Sequence, residues 1–519
     1  MHHCLAVPEL VDLIISAGLN AFEDRNDLAA LAITSTTFHE SALNLLWQEQ
    51  SSVVNLVKCM PPDLWEFSLV DDIETLIFLR EIVPEDWDRV FKYSRRVKSL
   101  SLFISDDPDM TAFYEGLRKG IPGGYLMPNL QHLLWEENMA AECPFINLFL
   151  GPQVTSIELN VEARDNDHCS LLDKLAILQP ELRSVVITSI NGKSGQAEQS
   201  SLWSFIRALP RLKALDVPIL DSATLIHLGR ITDFKSLTVD ILAAQPGCLP
   251  GIADQPMFLD LQIISLNMES TAMFNNTTRR GMQITTLLTL FRMFNNSPLR
   301  RVVAKPIVEY NWDLPKELVE VIGENSQIKD LNSLILDFVE AGPEDVVACP
   351  KEFFRPLFNF PNITSLEIRV PSGYDIDDAM IAEMSRTWRS LRNFNLASSS
   401  MFESSCTPNS LYHLAQCRDL LTIRLTFWAS GVSYPPPSLI FPPSDHSPTS
   451  PLRYLDVEWS QTTDSDVEVI ASFISSLFPS LLQIEANRTE AMRDWNLKNW
   501  GDIDARVQEL QNLQAELHE

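Results

Sequence analysis

The chain has 519 residues, 45% apolar and 21% charged. That composition can bury a large core and excludes disorder as its general condition, and the length requires several domains or one extended repeat array. The formal net charge of −29 repels phosphate backbones and anionic lipid headgroups, so neither nucleic acid nor a membrane surface is an expected partner.

In chain order, Pro8 suits a first helical position and Gly18 a helix end. Between them Leu10, Leu13, Ile14 and Ala17 recur at helical spacing, which predicts a short amphipathic helix. Asn26 and Asp27 are candidate N-caps of a second helix carrying Leu28, Leu31, Ala32 and Ser35 on one face. Thr37 and Glu40 match a capping box for a third, in which Ala42, Leu45 and Leu46 share a side before Trp47. Three helices of about ten residues do not bury all their apolar surface among themselves, so part of it faces the rest of the chain or another protein.

The stretches LAVPELVDLIIS and DLAALAITSTTFHESALNLLW resemble an F-box, and the continuation NLVKCMPPDLW, Asn55 to Trp65, resembles the F-box proteins of mushroom-forming fungi. In that family the F-box docks on the adaptor subunit of cullin-based, SCF-type ubiquitin ligases. The resemblance implies that Leu5, Pro8, Glu9, Leu10 and Ile14, with Leu28, Leu31, Phe38, Leu46 and Trp47, form or support the adaptor face. The connection from Leu19 to Asp27, with its acidic Glu23 and Asp24, is longer than the family pattern.

From Val97 onward, short runs of the form apolar-x-x-apolar-x-apolar recur, as in VKSLSL, LRSVVI, LKALDV, FKSLTV, LNSLIL, ITSLEI and LRYLDV. Fourteen such runs between Val97 and Leu481 are spaced by about 29.5 residues on average, the period of leucine-rich repeats. Pro128, Pro152, Pro180, Pro210, Pro361 and Pro479 each stand two residues before the first apolar position, where 32 prolines in 519 residues predict about one. The unit therefore reads as helix, proline stop, strand. No unit hides its apolar side alone, so the units stack into a solenoid with strands inside and helices outside. The usual asparagine after each run is mostly absent, which predicts an irregular array.

The expected fold is α/β: a three-helix F-box over 1–50, a helical connector over 51–96, the solenoid over 97–490, and a capping helix over 491–519 carrying Ile503, Val507, Leu510, Leu513 and Leu517. Gly431 to Pro451, with seven prolines, is expected to be a mobile loop, and Asn267 to Gly281 another.

The residue after the first apolar position of each run is Lys98, Arg183, Lys213, Lys235, Arg300, Arg392 or Arg453 in seven of fourteen units, and never acidic. Composition predicts about one basic and two acidic there. These cations are expected along one rim. They either offset the carbonyls of the preceding helix end, for about 0.3–1 kcal/mol each, or receive an acidic or phosphorylated peptide.

The eight dispersed cysteines form no C-x-x-C pair and read as buried reduced thiols. No phosphate-binding loop, zinc-protease or nucleophile-elbow motif occurs. His168-Cys169 carries no ligand or nucleophile role, and the Asp375, Asp377, Asp378 cluster, which lacks the glycine and distal glutamate of a calcium loop, reads as a solvated helix start. No cofactor, metal or catalytic residue is expected. Pro8, Glu9 and Asp12 interrupt any signal-peptide core, so the cytoplasm or nucleus is the expected location. The expectation is a non-enzymatic substrate receptor of an SCF-type ligase binding an unknown protein, the alternative being a repeat scaffold outside ubiquitination.

Overall fold

The computed structural model describes residues 7–18, 25–70, 73–103, 111–137, 145–161, 167–179, 181–188, 196–242, 257–266, 282–308, 312–324, 328–340, 347–398, 402–429, 450–486 and 494–518. The chain divides into two compact units, 1–231 and 232–519.

The first unit opens with three helices, α1 (Pro8–Gly18), α2 (Arg25–Thr34) and α3 (Thr36–Gln48). The cap of α3 differs from the sequence expectation. Ser35, extended at φ −156°, accepts the Thr37 N–H at 3.2 Å, so the cap lies two residues before Thr37. Glu40 is not a capping-box partner, because the Arg96 guanidinium takes its carboxylate at 2.7 Å. The stretch 51–96 also departs from an all-helical connector. Trp65–Val70 and Ile73–Phe78 pair as an antiparallel hairpin between a one-turn helix, Val54–Val57, and the helix Trp87–Ser94. The alternation in WEFSLV is a strand period, and it outweighs the helical signals on either side.

Six strands follow one another in parallel and in sequence order: Glu49–Gln50, Ser99–Phe103, His132–Glu137, Ser156–Val161, Ser184–Ile187 and Ala214–Leu220. The chain passes straight from α3 into the first of them. The second unit repeats the scheme with nine parallel strands, again in sequence order, from Ser236–Leu242 to Gln483–Glu485. Strand order equal to chain order, with helices such as Gln196–Arg207, Asp378–Thr387 and Val467–Leu477 returning between rungs, is leucine-rich-repeat architecture.

The expected frame is the observed one. The first apolar position of all fourteen runs is buried, as in Leu212, Leu331, Ile363 and Leu391, and so are the fourth, as in Leu215, Leu334, Leu366 and Phe394. Pro210 and Pro479 stand in the turns that carry a helix into its strand: Gln196–Arg207 ends just before Pro210, and Val467–Leu477 just before Pro479. A pyrrolidine lacks the N–H that would continue the helix.

Between rungs the side chains knit. Asp377 caps its helix by accepting the Met380 N–H at 2.9 Å. Asp378 is not merely solvated: it accepts the Thr407 N–H at 2.8 Å and the hydroxyls of Thr407 and Ser410, which ties one repeat to the next. The C-terminal helix Asp494–His518 covers the end of the sheet through buried Ile503 and Val507, whereas Leu513 is exposed. Its Gln508 and Gln511 amides donate to the carbonyls of Leu481, Leu482 and Phe478, groups a further rung would otherwise approach.

Cys349, Cys406 and Cys417 are buried free thiols, and burial pushes Cys406 up to about 12 and Cys417 to about 11. The expected loops at 267–281 and 431–451 lie outside the described residues except for Ser450 and Pro451. No helix among the described residues is long and apolar enough to cross a membrane.

Candidate functional site

The N-terminal helices sort their apolar residues onto two faces. In α1, Val11 and Ile15, one turn apart, are 1% and 4% exposed and form the packing face. Leu10, Leu13 and Ile14 are 41%, 63% and 49% exposed and form a second stripe. Nothing in the amphipathic pattern requires that second stripe, since Val11 and Ile15 already anchor the helix. Covering it is worth on the order of 3 kcal/mol, taking about half of each side chain's burial energy. Glu9 lies exposed in the first turn, where a carboxylate complements the helix dipole.

Leu5 falls outside the described residues, and Pro8 is the first residue of α1. Leu28 and Leu31 of α2 and Phe38 and Leu46 of α3 are half-buried, with Ala32 and Ala42 fully buried between the two helices. His39 Nδ1 donates to the Ala32 carbonyl at 2.8 Å and fixes their crossing. Trp47 belongs partly to the interior, its ring stacked on Tyr93 with centroids 4.9 Å apart. The structure thus brings Leu10 and Ile14 together at the surface and sets Trp47 between α3 and the helix Trp87–Ser94.

The residue that ties α3 to the first repeats is not evident from the sequence. Arg96 donates to Glu40 and to Asn44 Oδ1, two positions one turn apart on α3, and so ties that helix to the entry of the second strand. Its guanidinium holds the Glu40 carboxyl below the usual carboxylate range. The available signal was a basic pair, Arg95-Arg96, immediately before the first repeat.

Within each unit the rim positions stand in ladder register. The Lys213 N–H donates to the Arg183 carbonyl at 2.7 Å, and that position bonds in the same way from rung to rung through the second unit. There the Arg300 N–H reaches Gln262, the Arg392 N–H reaches Thr364, and the Arg453 N–H reaches Leu421. Neighbouring rungs in such a ladder are about 4.8 Å apart. Arg183, Arg300, Arg392 and Arg453 are exposed, Lys213 is half-buried, and Lys235 pairs with Asp233 at 2.8 Å. Among the described residues, none of those four arginine side chains forms an ion pair or a hydrogen bond to a helix carbonyl.

No group of three or more metal-ligating side chains occurs among the described residues. His168 and Cys169 lie in the helix Asp167–Leu178, and their side chains are outside the described set.

No protein-family model matches the chain, and no curated protein matches it. Among the solved structures similar to it are the following three. Rad7, solved in complex with Elc1 in yeast, is 13% identical, with 94% of this chain and 91% of that chain covered at a TM-score of 0.37. An internalin from Listeria monocytogenes is 15% identical over 70% of this chain and 78% of its own, TM-score 0.30. The mouse RP105/MD-1 complex contributes a chain 14% identical, covering 74% and 61%, TM-score 0.29. These are likenesses only; the repeat architecture rests on the parallel ladder itself.

Proposed function

We propose that this protein is the substrate-receptor subunit of an SCF-type ubiquitin ligase, docking on the adaptor through its opening helices and presenting a protein substrate on its repeats. The observation that carries this reading is the solvent-facing stripe of Leu10, Leu13 and Ile14 beside a buried Val11 and Ile15. An apolar row left in water within a sequence that resembles an F-box is what a docking helix requires. The receptor performs no bond chemistry. It raises the effective concentration of a substrate lysine beside a ubiquitin-charged enzyme, so no catalytic residue or cofactor is needed.

On the first unit Arg183 with Lys213, and on the second unit Arg300, Arg392 and Arg453, each suit the capture of an acidic or phosphorylated substrate peptide. Among the described residues the four arginine side chains form no ion pair, and planar guanidinium groups bind carboxylate and phosphate in bidentate fashion.

The test is capture of the purified adaptor by the full chain. Wild type binds, and Leu10→Asp with Ile14→Asp abolishes binding while the thermal midpoint stays within a few degrees, because both sites are already wet. Absence of wild-type binding, or binding that survives the double substitution, refutes the reading and leaves a repeat scaffold outside ubiquitination.

A further inference from the structure

A cleft of about 480 Å³ opens in the first unit where α1 and α3 meet the first rungs. Leu13 and Leu45 form its apolar wall, and Arg95, Arg96 and Lys98 its basic side. The three cations are not equivalent. Arg96 is committed to Glu40 and Asn44. Arg95 is held by its backbone, its carbonyl accepting the Asn129 amide at 2.7 Å. Lys98 is held by the ladder, its N–H donating to the Gln48 carbonyl at 2.8 Å and its carbonyl accepting from Gln131. The Arg95 guanidinium and the Lys98 ammonium are thus carried on fixed backbone, and among the described residues neither has a carboxylate within ion-pair distance. Among the described residues, Asp12 is the one carboxylate on the wall.

We propose that this cleft receives an acidic segment of the same subunit that covers the Leu10, Leu13 and Ile14 stripe, so that the adaptor interface continues past the helices onto the first rungs. The proposal rests on the receptor reading above. Two observations select this occupant. The first is continuity: Leu13 belongs both to the exposed stripe and to the cleft wall, so a protein seated on the stripe reaches the cleft without a gap. The second is charge. In a chain of net charge −29, with 69 acidic side chains available, the described lining of this cleft carries Arg95 and Lys98, neither in an ion pair, and one carboxylate. That arrangement complements carboxylates brought by another molecule. Arg95 supplies the planar fork for one carboxylate and Lys98 a point charge for a second. The Gln131 and Gln153 side chains, on successive rungs, offer amides to the backbone of an extended segment.

Charged contacts at the margin of an apolar interface act mainly on the association rate and on salt dependence. The assay therefore measures the affinity of the full chain for purified adaptor at 50 and 300 mM NaCl by titration calorimetry. Wild type is expected to weaken roughly tenfold across that range. Arg95→Glu with Lys98→Glu is expected to weaken binding at least tenfold at 50 mM and to flatten the salt dependence. Arg95→Lys with Lys98→Arg keeps both. Arg95→Gln with Lys98→Gln provides the same readout, at smaller amplitude, if the reversal fails to fold. Unchanged affinity and salt slope in the reversal, with Leu10→Asp still abolishing binding, overturns the cleft assignment alone and leaves the cleft to a substrate peptide. Binding that survives Leu10→Asp, or no wild-type binding, overturns the receptor reading and this inference with it.

Discussion

Glu458 offers the sharpest test of the physics of the second unit. The strand Tyr454–Asp456 ends two residues earlier, and Glu458 sits at φ +46°, in the left-handed region that costs a non-glycine residue about 1–2 kcal/mol. Its side chain turns inward, where Oε2 accepts the Ser398 N–H at 3.0 Å and Oε1 lies 3.7 Å from Arg424 Nε. Arg424 is already engaged by Asp456 at 2.7 Å. Loss of hydration dominates, opposed by the Ser398 hydrogen bond and reinforced by Asp456. Together they raise the carboxyl from its ordinary 4.5 to about 7. A carboxyl whose folded pKa is raised favours folding while protonated. Stability is therefore greatest below pH 4.5, falls as pH rises toward 7, and levels off above. With 1.36 kcal/mol per pH unit, the loss between pH 5 and pH 8 comes to about 2.5 kcal/mol. Glu458→Gln keeps an oxygen to accept the Ser398 N–H and carries no charge at any pH. The variant should match wild type closely at pH 5 and melt about 5 °C higher at pH 8, read by intrinsic tryptophan fluorescence on heating. Because every other titrating group is common to both proteins, the comparison isolates this one carboxyl. Parallel pH profiles for the two proteins, or a variant less stable at pH 8, would refute the argument that burial controls this group.

Trp388 is fully buried and its Nε1 donates to the Phe360 carbonyl at 3.0 Å, bridging one repeat to the preceding one. Trp388→Ala should cost about 3–5 kcal/mol through the cavity it leaves, with a further loss from the orphaned carbonyl; an unchanged denaturant midpoint would contradict the packing. Gly373 stands at φ +85° with the Phe402 ring where a β-carbon would lie. Gly373→Ala should destabilise by roughly 2 kcal/mol or more. Phe402→Ala in that background should restore only the steric share, leaving the backbone cost visible in the melting temperature.

Much of the fold was legible because its signal is local. A strand that buries alternate residues and a helix that ends at a proline are written within a dozen positions, so Val97 through Leu481 mark real rungs despite the missing asparagines. The hairpin over Trp65–Phe78 was missed for want of weight given to its period-two alternation. The cap of α3 was displaced because Ser35 and Thr37 carry the same chemistry, and only backbone conformation chooses between them.

Site residues divide the same way. The apolar positions of α1 were evident from spacing, but the helix carries two apolar stripes, Val11 with Ile15 and Leu10 with Leu13 and Ile14. Periodicity cannot say which one packs. Arg96 with Glu40 lie 56 residues apart and Glu458 with Ser398 lie 60 apart. Such pairs arise from stacking rungs whose lengths vary, so no fixed offset announces them. The sequence alone determined the repeat, its frame and the row of cations, since each follows from the hydrogen-bonding and burial needs of a single unit. The tertiary structure alone decided which apolar stripe stays in water, which cations find acids and which do not, and which carboxyl is driven toward neutrality. Those outcomes depend on what neighbouring units place within a few ångströms, where desolvation and charge pairing are settled.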